Sequence, residues 1–282
     1  MKDNTKAARV ALVGAAGRIG HRITNCLLRT DYHLMLCEKG EAGTARLLEQ
    51  GLSVVPTEAA VRSADFVVLA VGDTQISSTS AELVPMMRPG ATLILLDPSA
   101  PLLGEVAIRE GINYVVCHPC HPALFAEQPS SEAYRDYYGG TCGVQDIVIA
   151  LMQGPQNVMG QAERLCRAMF APVRNAHTIT LEQMAILEPL ASEIINVPAI
   201  VLMRDSLEEA VRAGVPREAA TAFILGHARA ALAIMFGFAE STISDSAMAA
   251  IREGSKMVIN PEWRKAFDPG QLKEIVRRTL QQ

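Results

Sequence analysis

The run RVALVGAAGRIGHRI, residues 9–23, constrains the fold more than any other segment. Arg9–Val13 reads as a short buried strand, and Arg18–Arg29 reads as a helix. Gly14, Gly17 and Gly20 fall in and just after the turn between them. Glycines spaced this way let a backbone approach a pyrophosphate, and the amides at the helix start then hold its charge. A bare glycine triplet is common, and what gives this one meaning is its place after a first strand and at the opening of a helix. The expected contacts are Gly14, Ala15, Ala16, Gly17, Arg18 and Ile19, with Ala16 standing where the commoner fingerprint has its second glycine. Arg18 either touches the pyrophosphate or is a solvated residue of the first turn.

The rest of the first half repeats the pattern. His33–Cys37, Phe66–Val71, Thr92–Leu96 and Asn113–Val116 are short aliphatic runs, with helical stretches such as Ala81–Met87 among them. Continuous apolar strands alternating with helices predict a parallel sheet covered on both faces. The strand HLMLC ends in Glu38, where a carboxylate accepts hydrogen bonds from ribose hydroxyls and repels a 2′-phosphate, favouring NAD over NADP. The bland alternative is a solvated strand-end acid. Asp73, after the Phe66–Val71 strand, is either a helix cap or a ligand contact. A Pro-, Ser- and Tyr-rich loop from Pro119 to Gly143 is too long for a simple connection. Ile147–Met152, Gln156–Phe170 and Val173–Thr178 then read as strand, helix and strand. From Leu181 onward the pattern is helical. The fold class is α/β, a Rossmann-type domain at 1–179 followed by an all-helical domain at 180–282.

Composition removes several function classes. Net charge is −4 with both signs scattered, so no basic block suggests nucleic acid or an anionic membrane. Six cysteines in 282 residues do not make a disulfide framework. The first nine residues are polar and charged, which is unlike a signal peptide. A soluble cytoplasmic protein is expected. The apolar stretch 219–239 approaches spanning length, but His227 and Arg229 at its centre argue for a helix buried in protein, shared between subunits of a homodimer. Arg229 either receives a substrate carboxylate or makes a salt bridge, and His227 reads as a hydrogen-bonded core residue.

Chemistry concentrates in two segments. In CHPCHP, Pro119 and Pro122 are expected to hold His118 and His121 in extended or polyproline geometry, with both imidazoles on one side and Cys117 with Cys120 on another. The imidazoles can serve as metal ligands, as a general base, or as a cation for a carboxylate. The cysteines read as packing residues, since one pair without a second cluster is a poor zinc site. In LEQMAILEPLASE, Glu188 and Glu193 interrupt an apolar element. Pro189 is expected to break or restart the helix, and on an unbroken α-helix the two acids would face apart. The helix after the nucleotide domain carries no lysine, so proton transfer falls to His, Glu or a metal site.

GAAGRIG, Glu38, HPCHPALF, Tyr138-Gly139-Gly140, ALMQGP, LEQMAILEPLASE, GHARAALAIMFG and PEWRKAFDP occur in this order. With them the chain resembles the D-apionate oxidoisomerases over nearly its full length. That family is related to the 6-phosphogluconate dehydrogenase-like and ketol-acid reductoisomerase-like enzymes. The resemblance implies oxidation of the C2 hydroxyl of a branched sugar acid with NAD, and migration of a hydroxymethyl group to give 3-oxo-isoapionate. It also implies a divalent metal. His121 and Glu193 are the expected ligands, an imidazole–carboxylate pair suited to zinc or a similar ion. His118 and Glu188 are expected beside them as acid–base or supporting groups. The competing expectations are a plain NAD-dependent hydroxy-acid or prephenate-like dehydrogenase, and a non-catalytic NAD sensor.

Overall fold

The computed structural model describes residues 7–281, so the reading of the N-terminus lies largely outside it. The chain divides into two compact units, one formed by residues through Ala185 with the stretch from Val276, the other by Ile186–Ile275.

The first unit is built on seven strands: β1 Arg9–Val13, β2 His33–Cys37, β3 Phe66–Leu69, β4 Thr92–Leu95, β5 Asn113–Pro119, β6 Gln145–Gln153 and β7 Val173–Thr178. Their order across the sheet is β2-β1-β3-β4-β5-β6-β7. β3 and β4 are buried at every residue, as strands covered on both faces must be. Alternate residues feed two cores. Val10, Leu12, Val68, Ile94 and Val115 pack with Ile23 and Leu27 of helix α1 (Arg18–Leu27). Met159, Leu165 and Met169 of helix α6 (Val158–Met169) join that core. On the opposite face, Ala11, Val13, Leu69, Leu95 and Val116 pack with Ala60 and Val61 of α3 (Thr57–Ser63) and with Ile76 and Leu83 of α4 (Ile76–Leu83). Helices α2 (Glu41–Glu49) and α5 (Ser99–Leu103) complete the layers.

The order places β1 between β2 and β3, so the connections leave in opposite directions and open a crevice at the carboxyl ends of β1 and β3. One expectation of the all-parallel reading is corrected. β5 and β6 pair antiparallel, with His118 opposite Val148 and Pro119 opposite Ile147. The long 120–144 segment can join them because an antiparallel return needs no crossover helix. β5 also continues to Pro119, so His118 is a strand residue.

In the second unit a π-helical segment, Ile186–Asn196, follows α7 (Leu181–Ala185) and leads into α8 (Val197–Arg212). Then come α9 (Arg217–Met235), α10 (Asp245–Val258) and α11 (Pro269–Leu280), which re-enters the first unit. Pro189 does not break the helix, contrary to expectation. A proline lacks its own N–H and crowds the preceding turn, and wider i→i+5 winding absorbs both problems. α8 and α10 have no buried residue, and in α9 only Ala220 is buried. Phe223, Met235, Phe236 and Phe238 are all more than half exposed. His227 is hydrogen-bonded as expected, its Nδ1 bonded to the Phe223 carbonyl at 2.8 Å and its ring stacked on Phe223 at 4.0 Å, but within the single chain the ring is exposed.

Candidate active site

The Gly-rich turn lies in the crevice. Gly14 has φ of +83°, and a Cβ there would stand 2.6 Å from the Ala70 carbonyl oxygen at the end of β3. A Cβ on Gly20 would meet the Gly14 carbonyl oxygen at 2.1 Å, so the first helical turn folds back against the loop only because both positions lack a side chain. The Gly14 and Ala15 amides donate to the Cys37 carbonyl, which ties the turn to β2. α1 starts after Gly17 with no side-chain cap and no acid in its first turn, leaving its amide end suited to an anion. Ala15 is buried, Ile19 packs against the core, and Arg18 is exposed.

Glu38 reaches that turn. Its Oε2 accepts from the Ala16 amide at 3.0 Å, and Oε1 accepts from the Lys39 and Gly40 amides at 3.1 Å each. Lys39 is drawn away into an ion pair with Glu82 at 2.6 Å. The sequence reading missed Gly43: a Cβ there would lie 2.9 Å from Glu38 Cγ and Cδ, so this gap in α2 is what lets the carboxylate occupy its position. Asp73 is exposed and opens a 3₁₀ turn whose N-cap is Gly72, so it is not the cap itself.

At the carboxyl end of β5 the two histidines stand 6.4 Å apart, centroid to centroid, rings nearly perpendicular. His118 Nδ1 lies 2.7 Å from the Leu96 carbonyl and His121 Nδ1 lies 2.9 Å from the Tyr138 carbonyl. A carbonyl only accepts, so both imidazoles carry the proton on Nδ1, and Nε2 is the basic nitrogen of each. Burial, with smaller contributions from His118 and Arg22, holds His121 below the usual histidine range, and the Tyr138 carbonyl opposes this. His121 is therefore neutral near pH 7.

His121 is not in polyproline geometry. Its φ is +59°, a left-handed conformation that non-glycine residues adopt at a cost of about 1–3 kcal/mol. The chain turns sharply out of β5 here, and the Tyr138 bond helps to hold the turn. Cys117 and Cys120 do not share an environment. Cys117 is buried against Cys166, which pushes its thiol well up, while Cys120 is exposed.

Beside His118 the sequence reading overlooked Asp97, two residues past β4. A ligand atom of Asp97 and one of His118 lie within 4.8 Å of each other, close enough to share a cation. Asp97 Oδ1 also accepts from the Ser99 amide at 2.7 Å, which fixes the carboxylate. The strand-end rule that selects Glu38 after HLMLC would have selected Asp97 after TLILL. His121 belongs to no such grouping among the described residues. In the second unit, Glu188 is half-buried and Glu193 exposed, both on the π-helical segment. Positions five apart lie nearly one above the other when hydrogen bonds run i→i+5, so the two acids share a face that an α-helix would have denied them.

The crevice, the glycine turn, the acid at the end of β2 and the histidine edge are features of the NAD-dependent Rossmann-type oxidoreductases. Comparison with known proteins narrows this. The family described as phosphogluconate dehydrogenase (decarboxylating) C-term matches residues 126–280, and that described as NADP oxidoreductase coenzyme F420-dependent matches residues 9–101. A D-apionate oxidoisomerase from Cupriavidus necator is 40% identical over 96% of this chain and 98% of its own, and one from Rhizobium rhizogenes is 36% identical over 95% and 98%. The crystal structure of a semialdehyde dehydrogenase NAD-binding protein from Cupriavidus necator, in complex with calcium and NAD, is 39% identical. It superposes with a TM-score of 0.93 over 97% of this chain and 99% of that one. The chain belongs to the D-apionate oxidoisomerase family.

Proposed function

We propose that this chain oxidises the C2 hydroxyl of D-apionate with NAD and moves a hydroxymethyl group from C3 to C2, giving 3-oxo-isoapionate. The substrate is inferred from the relatives' name. The chemistry is carried by one observation, the paired histidines at the carboxyl edge of the sheet, each keeping its Nδ1 proton on a backbone carbonyl and leaving Nε2 as the unprotonated nitrogen. His121 accepts the C2 hydroxyl proton as that carbon is oxidised. Loss of the C3 hydroxyl proton then drives the shift: the bond from C3 to the hydroxymethyl carbon breaks, that carbon bonds to C2, and C3 becomes the ketone. The C2 carbonyl oxygen, left as an alkoxide by the new bond, takes up a proton.

When bound, NAD accepts the hydride and a divalent cation stabilises oxyanion charge. The glycine turn and Glu38 fit NAD, since a carboxylate held by three amides would repel a 2′-phosphate. Asp97 and His118 fit a cation, which a carboxylate oxygen and an imidazole nitrogen can share. The relative's calcium suits oxygen ligands, whereas an imidazole in the set favours zinc or another transition ion. His118 donating its Nδ1 proton to a backbone carbonyl is the arrangement expected of a ligating imidazole.

Turnover with NAD and D-apionate, followed by reduced-cofactor absorbance and carbon NMR of the product, tests this reading. A rearranged 3-oxo acid, lost on chelation and restored by a divalent ion, is expected. An unrearranged 2-oxo acid would make the chain a plain dehydrogenase, and absence of reduced cofactor would remove this substrate.

The exposed apolar faces of α8, α9 and α10 point to a homodimer. A groove of about 460 Å³ along α9, lined by Ala219, Ala222, Phe223, Gly226, His227 and Ala230, has small residues over which a second helix can pass closely. α9 and the helical run Leu181–Arg212 are also long and apolar enough to cross a membrane. Burial against a second copy accounts for the same apolar surface and for His227 and Arg229 in its midst. Sedimentation equilibrium without detergent is expected to give twice the chain mass; a stable monomer would refute the pairing.

A further inference from the structure

Helix α1 holds more than the nucleotide turn. One turn beyond its start, Arg22 Nη1 donates to the Tyr138 carbonyl at 3.1 Å, and the guanidinium lies 5.2 Å from the centre of the Tyr138 ring. One turn further, Cys26 Sγ donates to the Gly140 carbonyl at 3.1 Å. The Tyr138 carbonyl is the same atom that takes the His121 Nδ1 proton, and the Tyr138 ring meets the His121 ring edge-on at 5.7 Å. The segment is fixed from its other side as well. Asp136 Oδ2 accepts from the Thr141, Cys142 and Gly143 amides at 2.9–3.0 Å.

His121 needs such support. Its backbone sits in a left-handed conformation that an imidazole-bearing residue does not prefer, and its ring has a defined aim only while Nδ1 has an acceptor. That acceptor is a loop carbonyl, and a loop carbonyl is no better placed than whatever holds the loop. Arg22 holds it twice, through the hydrogen bond and through the ring face.

We infer that Arg22 is a positioning residue: by fixing the Tyr138 carbonyl it sets the tautomer and aim of His121, so that the helix receiving the nucleotide also orients the imidazole. This rests on His121 being the proton acceptor.

The full-length protein carrying Arg22→Met or Arg22→Lys provides the test. Arg22→Met is expected to lower kcat by about tenfold or more while NAD affinity and KM change by less than about twofold, the split expected when only transition-state geometry is lost. Arg22→Lys, which keeps a charged donor, should recover most of kcat. In ¹⁵N-histidine spectra, the His121 signals should move from the single Nδ1–H tautomer toward a mixture in Arg22→Met and return in Arg22→Lys. Arg22→Met added to His121→Asn should cost nothing more. An unchanged His121 tautomer in Arg22→Met overturns the inference even if activity falls, since the loss would then be structural. Undiminished turnover in His121→Asn would instead remove the proton-acceptor reading, while the spectra would still report whether Arg22 orients the ring. If Arg22→Met fails to fold, Arg22→Gln with the same spectra decides.

Discussion

Replacing His121 with Asn is expected to lower kcat by about 10²–10⁴-fold, the usual contribution of a positioned general base, with NAD affinity within about twofold of the parent. Asn is the useful replacement because its short polar side chain tolerates the left-handed backbone at this position, where Ala would add strain to the loss of the ring. The Tyr138 carbonyl keeps its bond from Arg22, so the substitution does not orphan it. The pH dependence follows from the same environment. Burial holds His121 below the usual histidine range, so the acidic limb of kcat/KM in the parent enzyme should fall below about pH 6.5, the unperturbed value. The basic form is the active one, so activity is retained as pH rises through neutrality and lost as the ring protonates. A variant retaining more than a tenth of the parent rate would show that the proton goes elsewhere. Loss of NAD binding would place His121 in the nucleotide pocket.

Gly20→Ala is expected to have the largest effect on nucleotide binding. Its Cβ would need to lie 2.1 Å from the Gly14 carbonyl oxygen and 3.0 Å from the Ala15 Cα, both backbone atoms that no rotamer change can move. Relief requires the turn to open, which misplaces the first amides of α1. Overpacking of this kind costs about 1–3 kcal/mol, and a loss of that size falling on binding weakens NAD about 5- to 150-fold. Calorimetric titration with NAD measures it. Gly160→Ala on α6 is the matched control: it also places a methyl on an amphipathic helix, but the nearest atom is the end of the Arg164 side chain at 3.9 Å. Equal affinities for the two variants would mean that the turn tolerates opening and that the amides are not the pyrophosphate site.

Much of the fold was legible in the sequence because it depends on local pattern. RVALV followed by Gly14, Gly17 and Gly20 needs only a strand, a turn without side chains and a helix start, and these residues form all three. The same holds for HLMLC with Glu38 and for VRNAHT as β7, whose bounds are those the alternation predicts. Candidate chemistry was equally visible, since imidazoles and carboxylates on apolar elements stand out whatever the fold.

Relations between distant segments were not legible. β6 lies antiparallel because the sheet accepts it there, and no local residue pattern distinguishes that from a parallel strand. The π-helical winding at Pro189 turned two acids that an α-helix would separate onto one face. His121 left the geometry that its following proline favours because Tyr138, seventeen residues on, supplies an acceptor. Asp97 meets His118 only because β4 and β5 are neighbours in the sheet, and Glu38 reaches the Ala16 amide only because Gly43 leaves room. The sequence by itself determined which elements form and which residues could do chemistry, since both follow from side-chain type and short-range spacing. Tertiary structure decided which of those residues meet, because partners far apart in the chain come within a few ångströms only when packing closes the distance.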